Sequence, residues 1–338
     1  SAMEQPFDWN ETESGETRRK QRKERVSLVL LLLLALAILA AAAMLLHSRI
    51  SAQQGAEISP LPGAAVAAAA ELPAESAEPK PAEDGLLVTF LDVGQGDCIF
   101  LRAPDGKTML VDGGPEGSFP VIDQYLSSLG VVGLDFVVAS HLHADHIGGL
   151  ISLVDTYPVG VFYYPPFDPE SETYFELLDA LQESQAQVKN PLAGVDTLLD
   201  WDSGVEVRIL APYDAVYDDF NDTSYMLRVR YGNTAVLLTG DTTEVGERLA
   251  LKAQPNGYFK ADILKVAHHG SSDGTFEEFL EAVSPAIAII CVGADNAYGH
   301  PTQALLDRLL ERGITIYRTD EDGTISFLLD GTNVTMLK

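Results

Sequence analysis

Two cysteines, Cys98 and Cys291, are all that the 338-residue chain contains, and they stand far apart. Two such positions give no disulfide framework. Each lies in an apolar segment, where a thiol behaves as a small hydrophobe, so both are read as buried and free. Basic residues are also scarce. Lys and Arg number 22 against 50 Asp and Glu, for a net charge of −28. A surface of that sign repels nucleic acid unless metals and a local basic strip offset it. The candidates for such a strip, Arg228, Arg230, Lys260 and Lys265, are scattered over strand segments and read as a solvated face. No internal repeat of fixed period is visible. Only one long charge-free apolar run occurs, at Val26–Leu46.

That run divides the chain. Residues 1–25 form a polar tail with Arg18, Arg19, Lys20, Arg22, Lys23 and Arg25 clustered at its end. At about 1.5 Å per residue, the 21 residues Val26–Leu46 span a hydrocarbon core of roughly 30 Å, which predicts a transmembrane anchor. A signal peptide cleaved near Ala40–Ala43 is the alternative. The positive cluster on the N-terminal side places that end in the cytoplasm, hence a single-pass cell-membrane protein with everything beyond it extracellular. Residues 47–84 are rich in Ala, Pro and Glu, with too few large apolar residues for a core, and predict a disordered linker. Residues 85–338 suit one large domain.

Strand and helix patterns alternate through that domain, as expected of a layered α/β (α+β) protein. Strands are predicted at 86–91, 98–102, 108–111, 159–163, 205–210, 225–230, 235–238, 263–266 and 286–291, with another ending at Ala139. Helices are predicted at 119–129, 171–185, 244–253, 276–283 and 302–312, and from Asp145 through Leu153.

The densest chemistry lies at Ser140–Gly149, Ser-His-Leu-His-Ala-Asp-His-Ile-Gly-Gly, directly after the apolar run Phe136–Ala139. Residues two apart in extended chain point the same way, so His141 and His143 can reach one cation together. Asp145 and His146 follow at the turn into a helix and face a second position, which suggests a binuclear site. Burying three His and one Asp without a cation is costly. Asp241 ends another apolar strand, where its two oxygens can bridge two cations. His268 stands at the end of Ile263–Ala267, with His269 as its competitor. Ser271, Ser272 and the Gly270 amide can donate to a phosphate, as ordinary loop residues also do.

The His-x-His-x-Asp-His run resembles the signature of the metallo-β-lactamase superfamily. Leu91–Asp97, Leu110–Gly114, Leu238–Asp241, Val266–Ser271 and Tyr298–Pro301 are similar to the motif series in the C-terminal hydrolase domain of ComEC-type DNA-uptake proteins. The resemblance implies a four-layer αββα sandwich and two divalent ions, zinc or manganese. Their ligands would be His141, His143, Asp145, His146, Asp241 between the metals, and His268, with His269 behind or touching substrate. It places Asp112 as the group orienting a ligand histidine, and Asp92 or Gln95 along the pocket. His300 would contact substrate, and His268, His269 and His300 are candidates for protonating the leaving group. Most members supply one more histidine to the first metal, but this chain has none between His146 and His268. Asn221-Asp222 occupies the corresponding region, and an oxygen donor there shifts the preference from zinc toward manganese.

Metal-activated hydrolysis follows, with phosphodiester cleavage in DNA as the leading expectation. Two others stand beside it: hydrolysis of another ester, such as a phosphocholine ester, lactone or β-lactam, and a non-catalytic surface-binding or competence-assembly role.

Overall fold

The computed structural model describes residues 85–337 apart from 195–197, 200, 202 and 203. The expected tail, anchor and linker lie outside the described residues. Among the described residues no helix is long and apolar enough to cross a membrane.

Among the described residues, fifteen strands and seven α-helices follow one another in two halves. The first runs β1 (Leu86–Phe90), β2 (Ile99–Arg102), β3 (Thr108–Val111), α1 (Phe119–Ser128), β4 (Leu134–Val138), α2 (Ala144–Thr156), β5 (Val159–Tyr163), α3 (Glu172–Glu183) and β6 (Gln187–Lys189). The second runs β7 (Leu198–Leu199), β8 (Val205–Ala211), β9 (Met226–Tyr231), β10 (Thr234–Leu238), α4 (Glu244–Ala253), β11 (Ile263–Lys265), α5 (Glu277–Val283), β12 (Ile287–Ile290), α6 (Gln303–Glu311) and β13 (Thr315–Arg318). The chain ends with α7 (Thr319–Asp322), β14 (Ile325–Leu329) and β15 (Val334–Met336).

The strands form two sheets, ordered β15-β14-β1-β2-β3-β4-β5-β6 and β13-β12-β11-β10-β9-β8-β7. Central strands such as β1, β3 and β10 are buried at every position, because each sheet is covered on both faces. Val88, Phe90, Leu101 and Val138 of the first sheet meet Val207, Ile209, Leu227 and Ile289 of the second in one inner core. Outside the first sheet, Leu110, Val137 and Phe162 pack on Ile122 of α1, Leu150 of α2 and Leu177 of α3. Outside the second, Leu237, Leu264 and Ile290 pack on Ala250 of α4, Phe279 of α5 and Leu305 of α6. Each such fully buried Leu, Ile or Phe contributes roughly 1.5–3 kcal/mol, so these three apolar layers hold the fold.

Parallel pairing runs through β3-β4-β5-β6 in one sheet and β10-β11-β12-β13 in the other. The carboxyl ends of these strands carry the histidines and aspartates singled out above. The expected elements agree to within about two or three residues, but β6, β7 and everything beyond residue 312 are not foreseen. Yet β14 pairs with β1 along its whole length, from Leu86↔Leu329 to Phe90↔Ile325.

Candidate metal centre

Buried strand β4 delivers His141 to the sheet edge at full burial, and His143 takes the N-cap position of α2 in extended conformation, φ −76° and ψ 152°. His143 makes no side-chain capping bond, so its ring stays available to the cleft. Asp145 sits in the first turn of α2, where a carboxylate suits the helix dipole. Gly148 and Gly149 are required by close approach: a Cβ at either would collide with the backbone at Glu116 or Gly113. That contact seats α2 on the loop after β3 and brings in Asp112, held at φ 59°. Asp112 accepts from the Ser140 amide at 2.6 Å and from His146 Nδ1 at 2.9 Å. His146 Nε2 is thereby aimed at Asp241 Oδ2, 3.2 Å away.

The opposite wall comes from the second sheet. Asp241 follows β10, and its amide donates to Ser224 Oγ at 3.1 Å. After β11 the chain makes a tight turn in which both His268 (φ 49°, ψ 47°) and His269 (φ 52°, ψ 23°) are left-handed, a strained conformation for two consecutive non-glycine residues. His268, the expected ligand, and His269 both line the cleft, but His269 is the buried one and converges with Asp145, His146 and Asp241. His269 Nδ1 donates to the Cys291 carbonyl at 2.9 Å. Its Nε2 lies 3.2 Å from Asp241 Oδ2 and 3.5 Å from Asp145 Oδ2. His268 turns Nδ1 to both carboxylate oxygens of Asp273, at 3.1 and 3.2 Å, and Nε2 to Asn221 Nδ2 at 3.5 Å.

Donor atoms of Asp145, His146, Asp241 and His269 therefore lie within 4.8 Å of one another. His146 Nε2 and His269 Nε2 both crowd Asp241 Oδ2 at 3.2 Å, and Asp241 Oδ1 beside them is buried with no hydrogen-bond partner. An orphaned polar atom of this kind is costly unless something occupies the space beside it, and this nitrogen and oxygen set fits a divalent cation. Burial alone would push both imidazoles down, but Asp241, with Asp112 at His146 and Asp145 at His269, lifts them well above their ordinary value. Burial likewise works to raise Asp241, and the two histidines hold it well below the usual carboxylate range.

His141 and His143 form a separate pair, with Nε2 and Nδ1 3.0 Å apart. Among the described residues, neither belongs to a cluster of three or more His, Cys, Asp or Glu donors. Burial and then His146 push both below the ordinary imidazole value. Asn221 lines the same cleft, and its Oδ1 is buried without a partner. Asp222 does not line it. Its Oδ1 accepts from Thr243 N and Oγ1, both at 2.9 Å, and from Gly246 N at 3.1 Å, so it is spent on the N-terminus of α4.

The cleft has a volume of about 440 Å³ and is walled by Gln95, His143, Asp145, Asn221, His268 and His300 among others. Asp92 is exposed outside it and closes its own turn by accepting from Gly94 N. Ser271 is buried beneath the histidine turn, while Ser272 is exposed, and neither lines the cleft. Gln95 turns its Oε1 to Gly293 N at 3.1 Å. His300 lies against His268 with ring centroids 5.6 Å apart.

Lys265 is no part of an exposed strip. It is 0% exposed, with Nζ on the Asp97 carboxylate, 2.9 Å from the Gly240 carbonyl and 3.6 Å from Asp241 Oδ1. Burial would lower its pKa, but Asp97 and then Asp241 raise it above the ordinary lysine value. The buried Asp97–Lys265 pair, Asp273, and the wall residues Ser171 and Tyr298 were not foreseen as parts of the site. The available signals were a lysine inside the otherwise apolar run Ile263–Ala267 and the places of Asp97 and Tyr298 in the motif segments Leu91–Asp97 and Tyr298–Pro301.

A two-sheet sandwich flanked by helices, with donors from both sheets meeting at the carboxyl ends of their strands, defines a metal-site α/β class. Residues 91–294 match the Metallo-beta-lactamase superfamily, and the chain belongs to it. It is 32% identical over 260 residues to ComE operon protein 3 of Bacillus subtilis, covering 71% of this chain and 32% of that protein. It is 33% identical over 245 residues to Competence protein ComA of Neisseria gonorrhoeae (72% and 32%), and 30% identical over 244 to Recombination protein 2 of Haemophilus influenzae (70% and 28%). The chain spans about one third of the length of these curated relatives.

Proposed function

We propose that the chain is a metal-dependent hydrolase of phosphodiesters, with DNA as the leading substrate, anchored in the cell membrane through residues 26–46 with its domain outside. The set Asp145, His146, Asp241 and His269, opening into the cleft, carries this reading, and the motif resemblance to the hydrolase domain of DNA-uptake proteins, beside the similarity to a competence protein, supports DNA.

Those four residues would hold one divalent ion, and His141 and His143, with the Asn221 oxygen, a second. Ions so held lower the pKa of water and stabilise charge on the attacked centre. Asp112 and the Cys291 carbonyl fix the tautomers of His146 and His269, leaving each Nε2 as a donor to the metal. His268, fixed by Asp273 with Nε2 toward the cleft, is placed to protonate a leaving oxygen, and His300 stands beside it. The Asn221 oxygen would weaken the preference of the histidine pair for zinc relative to manganese.

Hydrolysis of a smaller ester is the second reading, and one observation favours it. Arg228 is engaged by the Lys260 carbonyl, Arg230 by Gly232 and Glu206, and Lys265 is buried, so those residues leave no basic strip for a polyanion. Metal content, measured with cleavage of single- and double-stranded DNA and of bis-p-nitrophenyl phosphate in added zinc or manganese, decides between them. Near-stoichiometric metal with DNA cleavage lost in Asp145→Ala is the expected result. Turnover of small esters alone selects the second reading, and a folded, metal-free, inactive chain overturns both.

A further inference from the structure

Tyr298 is unusual among the aromatic residues of the domain. It is 69% exposed, yet it forms part of the cleft wall. Its ring lies nearly parallel to that of His300, with centroids 5.8 Å apart and an interplanar angle of 25°. The loop that presents the two rings is tightly held. Asn296 Oδ1 accepts from the amides of Tyr298 (3.2 Å) and His300 (3.0 Å), while its Nδ2 donates to the carbonyls of Gly293 (3.0 Å) and His300 (2.6 Å). Thr302 N then donates to the Gly270 carbonyl at 2.9 Å, tying the loop to the turn that carries His269. The backbone that presents the two rings is thus tied to the turn carrying His269, and the outer face of Tyr298 stays open to the solvent side of the cleft.

We propose that the Tyr298–His300 ring pair is a nucleobase-stacking subsite, with an unpaired base of the substrate lying on the exposed face of Tyr298 while its neighbouring phosphodiester enters the cleft. The proposal rests on the phosphodiester reading of that cleft and adds to it how the substrate is held. Affinity for nucleic acid ordinarily comes from phosphate contacts by Lys and Arg. In a chain of net charge −28, with Arg228 and Arg230 engaged and Lys265 buried, that source is weak. Stacking on an aromatic face needs no basic residue, because every base has a π face. The histidine beneath completes an offset stack of tyrosine and imidazole that the base extends by one layer.

The test uses the 338-residue chain and a single-stranded oligonucleotide carrying 2-aminopurine, read in calcium so that binding is followed without turnover. The same oligonucleotide with an abasic position in place of the fluorophore serves as its partner probe. Wild type should bind and quench 2-aminopurine, with a plot of log affinity against log salt shallower than −1, as expected for about one phosphate contact or fewer. Tyr298→Ala should weaken binding by about fivefold to a hundredfold and abolish quenching. Tyr298→Phe should keep both, and the abasic probe should bind wild type and Tyr298→Ala alike. Equal binding and quenching by wild type and Tyr298→Ala would overturn the subsite, as would absence of quenching in wild type. A chain that quenches through Tyr298 but hydrolyses no phosphodiester in zinc or manganese keeps the subsite and loses the hydrolase reading. One that cleaves DNA with Tyr298→Ala unchanged in kcat/KM and binding does the reverse.

Discussion

The two histidine groups at the sheet edge differ in kind. Asp145, His146, Asp241 and His269 form a closed, largely buried set whose imidazoles are held above their ordinary pKa by carboxylates. His141 and His143 are a pair bonded to each other at 3.0 Å, with both imidazoles pushed below it. One position already has its donors converged, and its histidines must release protons to accept a metal. At the other, the pair must give up its mutual bond, and the Asn221 oxygen is the unpartnered amide donor beside it. Sharing one motif does not make the two positions equivalent, and they should load unequally.

The largest effect is expected behind the closed set. Lys265 balances Asp97 and reaches toward Asp241 at full burial. Removing one partner of a buried pair leaves an uncompensated charge, so Lys265→Met should cost about 3–5 kcal/mol of unfolding free energy in urea. Adding Asp97→Leu should recover much of that loss. If Lys265→Met alone is neutral, the pair does not brace the closed set, and the contrast between the two positions loses its electrostatic basis.

Metal titration sharpens the comparison next. Competition with a chelator should reveal a tight and a loose class of site. His269→Ala should weaken the tight class by at least about tenfold and spare the loose one, and His143→Ala should do the opposite. His268→Ala should leave both classes in place. One class of site, or a loss of the tight class in His268→Ala, would break the proposed division.

Acidity separates the groups by sign. The folded pKa values of His146 and His269 are raised, so their contribution to the metal-free protein is complete below the unfolded value near pH 6.5 and is lost as pH climbs through the folded values. His141 and His143 are depressed, so their unfavourable contribution appears as pH falls below that same value. Metal must displace the protons on His146 and His269, so the rise in melting temperature on adding metal should be larger near pH 8 than near pH 6. An equal rise at both would mean that these imidazoles are neutral already.

Much of this was legible beforehand. The alternation of apolar strands and amphipathic helices located most of the layers, and the run Ser140–Gly149 pointed to Asp145 and His146, two of the four residues that converge. What escaped was set by contacts distant in sequence or by backbone conformation. β14 finds its place only by pairing with β1 across the chain. The choice between His268 and His269 depends on two left-handed residues that no periodicity encodes. Lys265 reads as a surface cation until Asp97, in the loop between β1 and β2, is seen against it.

Asp222 gives the smallest expected effect and the clearest limit on motif reasoning. Its position beside Asn221 makes it a plausible oxygen donor by sequence, but its Oδ1 already receives three donors at the start of α4. Asp222→Ala therefore removes a helix-end acceptor, with an expected cost of about 0.5–2 kcal/mol and no change in metal stoichiometry. Asn221→Ala should show the converse, little loss of stability and a weaker loose class of metal, because its buried Oδ1 has no partner to lose. If Asp222→Ala instead lowers metal content while the fold keeps its stability, the oxygen at the histidine pair comes from the aspartate, and the two positions are more alike than their donors suggest.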